Sequence, residues 1–135
     1  MSRDQNVAAQ ERLGDSVNAG NLEPLREIFA DDVVDHDPAP GQGPGPQGFI
    51  DFFTTLRTAF PDAHIEAEQL VVGDDHVAIA YTLTGTHQGV FRGVSGTGHK
   101  VKVRGVQVAR FVGGRIVERW GSTDELGILA QIDAA

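Results

Sequence analysis

The chain changes its hydrophobic period once. Up to about residue 60 apolar side chains recur every three or four positions, and from there to about residue 121 they recur every second one, so helices are expected first and strands after. Val7, Ala8, Leu13 and Val17 predict a helix from Asp4 to about Ala19, which Gly20 is placed to stop. Leu22, Leu25, Ile28 and Phe29 predict a shorter one, with Pro24 where a first-turn proline is tolerated. Val33-Val34 reads as a brief strand that delivers Asp35-His36-Asp37-Pro38 into a Gly/Pro-rich loop over Ala39–Pro46, the rim of a pocket. Phe49, Ile50, Phe52, Phe53, Leu56, Ala59 and Phe60 cover one broad face of the strongest predicted helix, Pro46 to Phe60, ended by Pro61-Asp62.

Strands are expected near 63–72, 76–87, 100–112 and 115–121, punctuated by Gly73-Asp74-Asp75 and Gly113-Gly114, with a last short helix from about Thr123 to Gln131. This is an antiparallel meander, and the whole reads as one α+β domain over residues 1–135 whose helices pack on a curved sheet around a small-molecule pocket. A two-residue turn at Gly113-Gly114 pairs Val112 with Arg115. Counting outward puts Phe111 opposite Ile116, Ala109 opposite Glu118 and Gln107 opposite Trp120, six side chains on one face that suit a pocket wall. The other face of 100–112 is also partly apolar, through Val106, Val108 and Val112, and needs a cover; a homodimer through this outer face is expected.

At 135 residues, 40% hydrophobic and 22% charged, the chain has material for one core and little for a second. The formal charge of −8 disfavours phosphate backbones and anionic membranes, and no Lys/Arg run offers a local exception. No cysteine is present, which removes disulfides and thiolate chemistry. The N-terminal residues lack the apolar core of a signal peptide and no stretch is apolar enough to span a bilayer, so a cytoplasmic location is expected.

Several titratable residues are candidates for chemistry, each with a plainer alternative. Ser122-Thr123-Asp124-Glu125 fits a capping box with Ser122 as N-cap, in which Asp124 merely enjoys the positive end of a helix. Glu118 reads equally as a paired structural acid. His87 ends the apolar stripe Val77, Ile79, Tyr81, Leu83 and reads as a core or rim histidine or as a donor, and His36 sits between two acids at the loop mouth. No pair of His or acids at helical i,i+4 spacing with a third partner is read here, and neither a nucleophile elbow nor a dinucleotide fingerprint is present, so no metal and no cofactor are expected. Acid–base chemistry, or binding alone, remains.

Asp35-His36-Asp37-Pro38 with its loop, Ala59-Phe60-Pro61-Asp62, Gly85-Thr86-His87-Gln88-Gly89, Thr97-Gly98-His99-Lys100 and the run from Arg110-Phe111 through Glu118-Arg119-Trp120 to Asp124 together resemble the SnoaL-like polyketide cyclase family, within the nuclear transport factor 2-like or cystatin-like superfamily. The resemblance covers about residues 7 to 131. It implies a cone-shaped α+β barrel, a strongly bent antiparallel sheet wrapped around N-terminal helices, often dimeric. It also implies an intramolecular aldol ring closure on a polyketide-like substrate without metal or cofactor. The family's acid/base matches Asp124, its pocket glutamine matches Gln107, and a polar residue of its early strand matches His36 approximately. A polar, often histidine, position two residues after the glutamine is Ala109 here, a departure that puts the orientation of the substrate or the reaction itself in doubt.

On that basis Asp124 is expected to move the proton, Gln107 and His87 to hold enolate or carbonyl oxygens, and Trp120, Phe49, Phe53 and Tyr81 to wall a flat substrate beside Glu118. Rival expectations are a non-catalytic binder of a hydrophobic metabolite, a cofactor-free hydroxylase, and an epoxide hydrolase. The last needs two acids bridged by an arginine, which Glu118 with Arg104 or Arg119 supplies only if the strand faces differ from those counted above.

Overall fold

A computed structural model describes residues 2–133; the termini of the expected 1–135 domain, positions 1 and 134–135, lie outside them. The elements are α1 (Ser2–Ala19), α2 (Leu25–Ile28), β1 (Phe29–Asp35), α3 (Gly45–Ala59), β2 (His64–Val72), β3 (His76–Thr86), β4 (Lys100–Val112), β5 (Arg115–Thr123) and α4 (Glu125–Asp133). The five strands form one sheet in the order β1-β5-β4-β3-β2. The α+β architecture expected from the change of period is present, with a curled sheet around the N-terminal helices.

The alternation in β4 has the physical effect anticipated for it. Val101, Val103, Ala109 and Phe111 are buried, while Lys102, Arg104, Val106 and Val112 are exposed. Val77, Ile79, Tyr81 and Leu83 of β3 continue the inner face, and Leu13, Val17, Phe49 and Leu56 of α1 and α3 cover it. Phe29 and Phe49 stack with ring centroids 4.0 Å apart, fastening β1 to α3. Behind α3, Asp62 accepts hydrogen bonds from the backbone N–H (2.7 Å) and the hydroxyl (2.8 Å) of Thr86, tying the helix exit to the end of β3.

Three boundaries differ from expectation. The brief strand at Val33-Val34 is a seven-residue strand that pairs parallel with β5, Asp35 beside Arg119. No turn marks such a long-range pairing in sequence. The second helix shrinks to Leu25–Ile28, because the chain after it is claimed by that strand. The last helix begins at Glu125 rather than Thr123, because β5 keeps its ladder to Gly105↔Thr123.

The largest correction concerns the register of β4 and β5. Phe111↔Ile116 and Val112↔Arg115 pair as counted, but a bulge follows, and the next pairs are Arg110↔Glu118, Ala109↔Arg119, Val108↔Trp120 and Gln107↔Gly121. One extra residue, Val117, inverts the side-chain parity of the rest of β5. Glu118 and Trp120, expected on the inner face, stand on the outer one, and Arg119 turns inward.

Candidate active site

Between α1, α3, the Gly/Pro loop and the inner face of the sheet lies a cavity of about 550 Å³. Its walls are largely apolar, with Leu13, Phe49, Phe53, Leu56, Ile79 and Leu83 among them. Tyr81 joins them because Gly105, its cross-strand partner, has no side chain: a Cβ there would stand 2.4 Å from the tyrosine ring. The Tyr81 hydroxyl is held by the Thr123 hydroxyl at 2.5 Å.

One side of the cavity is polar, and the bulge creates it. Arg119 donates from Nε to Gln107 Oε1 at 3.3 Å, and from Nη1 to Asp35 Oδ1 at 3.2 Å, Asp35 Oδ2 at 3.4 Å and the Asp37 carbonyl at 3.3 Å. The ion pair is largely buried, the side chains being 16% and 7% exposed, so each charge requires the other. Asp35 also accepts from Gln42 Nε2 at 3.0 Å and from the Asp37 backbone N–H at 3.0 Å, which uses the lone pairs of both oxygens. Gln42 in turn accepts the Ala39 N–H, so the loop is stapled to the acid it covers. Asp37 accepts the Gly121 N–H on Oδ2 at 2.9 Å.

Two donors at this place are not used by the described residues. Neither Nη2 of Arg119 nor Nε2 of Gln107 bonds to any described residue, and both side chains line the cavity. Gly121 makes room for the guanidinium, since a Cβ there would lie 2.6 Å from Arg119 Nη2. The second oxygen of Asp37 is likewise without a donor among the described residues. The cavity therefore offers hydrogen-bond donors and a carboxylate oxygen beside apolar walls, the equipment for gripping a carbonyl and exchanging a proton with its neighbour.

The structure brings together Gln107, Phe49, Phe53 and Tyr81 of the residues singled out from sequence. It places the others elsewhere. Asp124 is exposed and is itself the cap of α4, its Oδ1 accepting the Gly127 N–H at 2.8 Å; Ser122, still in β5, caps nothing. The Asp124 carboxylate is not part of the cavity wall. His87 is wholly buried but lies under the 88–99 loop, against Phe60, with Nδ1 within 3.0 Å of the Thr97 hydroxyl and accepting the Thr97 N–H at 3.2 Å. His36 is on the outer face, where its Nε2 meets Glu118 Oε2 at 2.8 Å and its ring stacks on Trp120 at 4.6 Å. Glu118 binds Arg110 on its other oxygen, and His36 followed by Arg110 holds its carboxyl below the usual range. From sequence, Arg119 has a part only as the bridging arginine of a hydrolase, and Asp35 and Gln42 have no role of their own. The available signal was Asp35: two residues after the inward-facing Val33, it had to face inward too, and a buried acid demands a cation from the adjacent strand.

Among the described residues no group of three His, Asp or Glu side chains is arranged to hold a metal ion, and no helix is long and apolar enough to cross a membrane.

A sequence profile of the SnoaL-like polyketide cyclases matches residues 7–132. Among solved structures, IdmH, a candidate polyketide cyclase from Streptomyces antibioticus, is 32% identical, with 96% of this chain and 99% of that one aligned at a TM-score of 0.83. AclR, a candidate hydroxylase from Streptomyces galilaeus, is 26% identical over 99% of each chain at a TM-score of 0.86. TsrD from Streptomyces laurentii, 20% identical, covers 100% of this chain and 99% of its own at a TM-score of 0.90, a likeness of fold. No curated protein matches.

Proposed function

Since the chain belongs to the SnoaL-like polyketide cyclase family, we propose that it catalyses acid–base chemistry, without metal or redox cofactor, on a small, largely apolar, carbonyl-bearing substrate of the polyketide kind. The observation that carries this reading is the pair of donors without partners among the described residues, Gln107 Nε2 and Arg119 Nη2, beside the open oxygen of Asp37 in a cavity whose wall also holds Phe49, Phe53, Leu56 and Ile79. In an intramolecular aldol closure the Asp37 carboxylate takes a proton from a carbon flanked by carbonyls. Gln107 and Arg119 hold the enolate oxygen while that carbon attacks a second carbonyl, and the carboxylic acid returns its proton to the new alkoxide. Asp35 positions the arginine. Phe49, Phe53 and Tyr81 hold the flat body of the substrate.

The family resemblance gives the proton transfer to Asp124; both acids are exposed and each accepts one backbone N–H, and the reason for assigning it to Asp37 instead is that Asp37 lines the cavity and Asp124 does not. The test is incubation of the wild type, Asp37→Asn and Asp124→Asn with a tricyclic polyketide methyl ester, a terpene epoxide and a steroid enone, followed by mass spectrometry. Conversion lowered about 10²–10⁴-fold in Asp37→Asn alone is the expected result. Loss in Asp124→Asn alone moves the acid/base to Asp124, and conversion of the epoxide identifies a hydrolase. Thermal stabilisation by these compounds without any conversion identifies a binder. We also propose a homodimer through the outer sheet face, where Val71, Val106 and Val112 are 65%, 52% and 58% exposed.

A further inference from the structure

The inner face of the sheet presents its cavity residues in rows, and one row holds a polar pair that the chemistry above does not use. Ile79, Gln107 and Gly121 lie abreast on β3, β4 and β5, and the next inward-facing row, two residues along, is Tyr81, Gly105 and Thr123. Gly105 is the gap in that row. A Cβ there would overlap the Cζ and hydroxyl of Tyr81, so the tip of the tyrosine fills the place toward which an inward side chain of β4 would point. Across that place it meets the Thr123 hydroxyl at 2.5 Å. Both residues line the cavity. Two hydroxyls carry two protons and their mutual bond uses one, and neither oxygen has another partner among the described residues. Whichever way the pair is oriented, one O–H is left over on the cavity floor. It is a grip apart from that of Gln107, roughly 7 Å further along the sheet, two residues at the rise of a strand.

We propose that the Tyr81 hydroxyl, positioned by Thr123, is a second oxygen-binding group of the site, and that the substrate carries two carbonyl oxygens, one for each grip. The phenol is the stronger donor of the two hydroxyls. With a ligand bound, Thr123 donates to the phenolic oxygen and Tyr81 donates onward, and such a chain of hydrogen bonds strengthens its last member. In the aldol closure Gln107 and Arg119 hold the oxygen of the enolate, and Tyr81 holds the oxygen of the carbonyl under attack. As the carbon–carbon bond forms, the C=O π bond breaks and its electron pair moves to that oxygen, where the phenol stabilises it. The proton that finally arrives there is the one Asp37 took from carbon, and Tyr81 keeps its own. A flat ring system gripped at two points no longer slides in its own plane along Phe49 and Phe53.

The inference rests on the reading of the cavity as a site for carbonyl compounds, and the experiment separates the two. Kd values are measured by calorimetry for 1,4-naphthoquinone, with two carbonyls, and 1-tetralone, with one, on the wild type, Tyr81→Phe, Thr123→Val and Thr123→Ser; the chain has no cysteine for a quinone to modify. The wild type should bind the quinone about tenfold more tightly than the tetralone. Tyr81→Phe should lose that preference with its Kd for the tetralone unchanged, Thr123→Val should reduce it, and Thr123→Ser, which keeps a hydroxyl, should retain it. A wild type that binds both compounds without the preference, or a Tyr81→Phe protein that keeps it, overturns the role of Tyr81 and leaves the cavity reading standing. In the second case a lowered melting temperature in Tyr81→Phe and Thr123→Val marks the pair as a structural tie between strands. Failure of both compounds to bind the wild type overturns the cavity as a site for flat carbonyl compounds, and this inference with it.

Discussion

At the scale of single residues, the acids of this protein divide by what already occupies their oxygens. Asp35 is saturated by Arg119, Gln42 and the Asp37 N–H, so it orders the site rather than accepting a proton. Asp124 is engaged by one backbone N–H. Asparagine caps helices as well as aspartate does, so Asp124→Asn should leave the unfolding free energy unchanged, while Asp124→Ala costs about 1 kcal/mol in denaturant titration. A fall in turnover in the asparagine variant would then be chemical, not structural. Glu118 behaves differently. Its carboxyl is held below its ordinary value of 4.5, first by His36 and then by Arg110, so its contribution to stability is present above that value and is lost as pH falls through the lowered one. Glu118→Gln should flatten the dependence of the melting temperature on pH below about 4.5, by a small amount because the pair is partly solvated. Gly121 is a space reserved for Arg119. Gly121→Ala should keep the fold but push the pinned guanidinium away, with substrate affinity lost and circular dichroism unchanged.

At the scale of elements, the extent to which the sequence revealed the protein follows from which contacts are local. The meander from β2 to β5, the lid helix α3 and the inner stripe of β3 were legible because a period and a glycine turn specify each of them nearby. Gln107, Tyr81, Phe49 and Phe53 were legible for the same reason, since each lies on an unbroken alternation or helical face. Glu118, Trp120 and Arg119 were not. A single bulge residue, Val117, reverses parity without any glycine or proline to announce it, and its advantage, an arginine for the buried Asp35, comes from a strand more than eighty positions away. The Gly/Pro loop was read correctly as a rim, but its anchor Gln42 was hidden because a side-chain staple leaves no pattern. The loop lies so close to α3 that a Cβ on Gly48 would be 2.0 Å from the Gly43 carbonyl oxygen. Gly48→Ala should therefore destabilise the protein by about 1–3 kcal/mol in chemical denaturation and lift Gln42 from Asp35, and ligand affinity should fall with it.

At the scale of the whole molecule, a sheet with helices on one side leaves the other side to be covered or tolerated. The outer face carries exposed Val71, Val106 and Val112 together with the His36–Trp120 stack, flanked by charges that limit indiscriminate association. If a second copy covers it, light scattering should report twice the chain mass, and Val106→Glu should return the protein to a monomer with its cavity intact. The parallel pairing of β1 with β5 has a consequence in time. β2 to β5 can zip together hairpin by hairpin, whereas β1 must find β5 across a long closed loop, and Asp35 and Arg119 are 84 positions apart. The meander should assemble first and β1 dock last, so that amide protons of β1 exchange with deuterium sooner than those of β3 and β4 under native conditions. The chain would then pass through a partly folded species that has its sheet but lacks its arginine–aspartate pair, and competence to bind would be the final property acquired during folding and the first surrendered on warming.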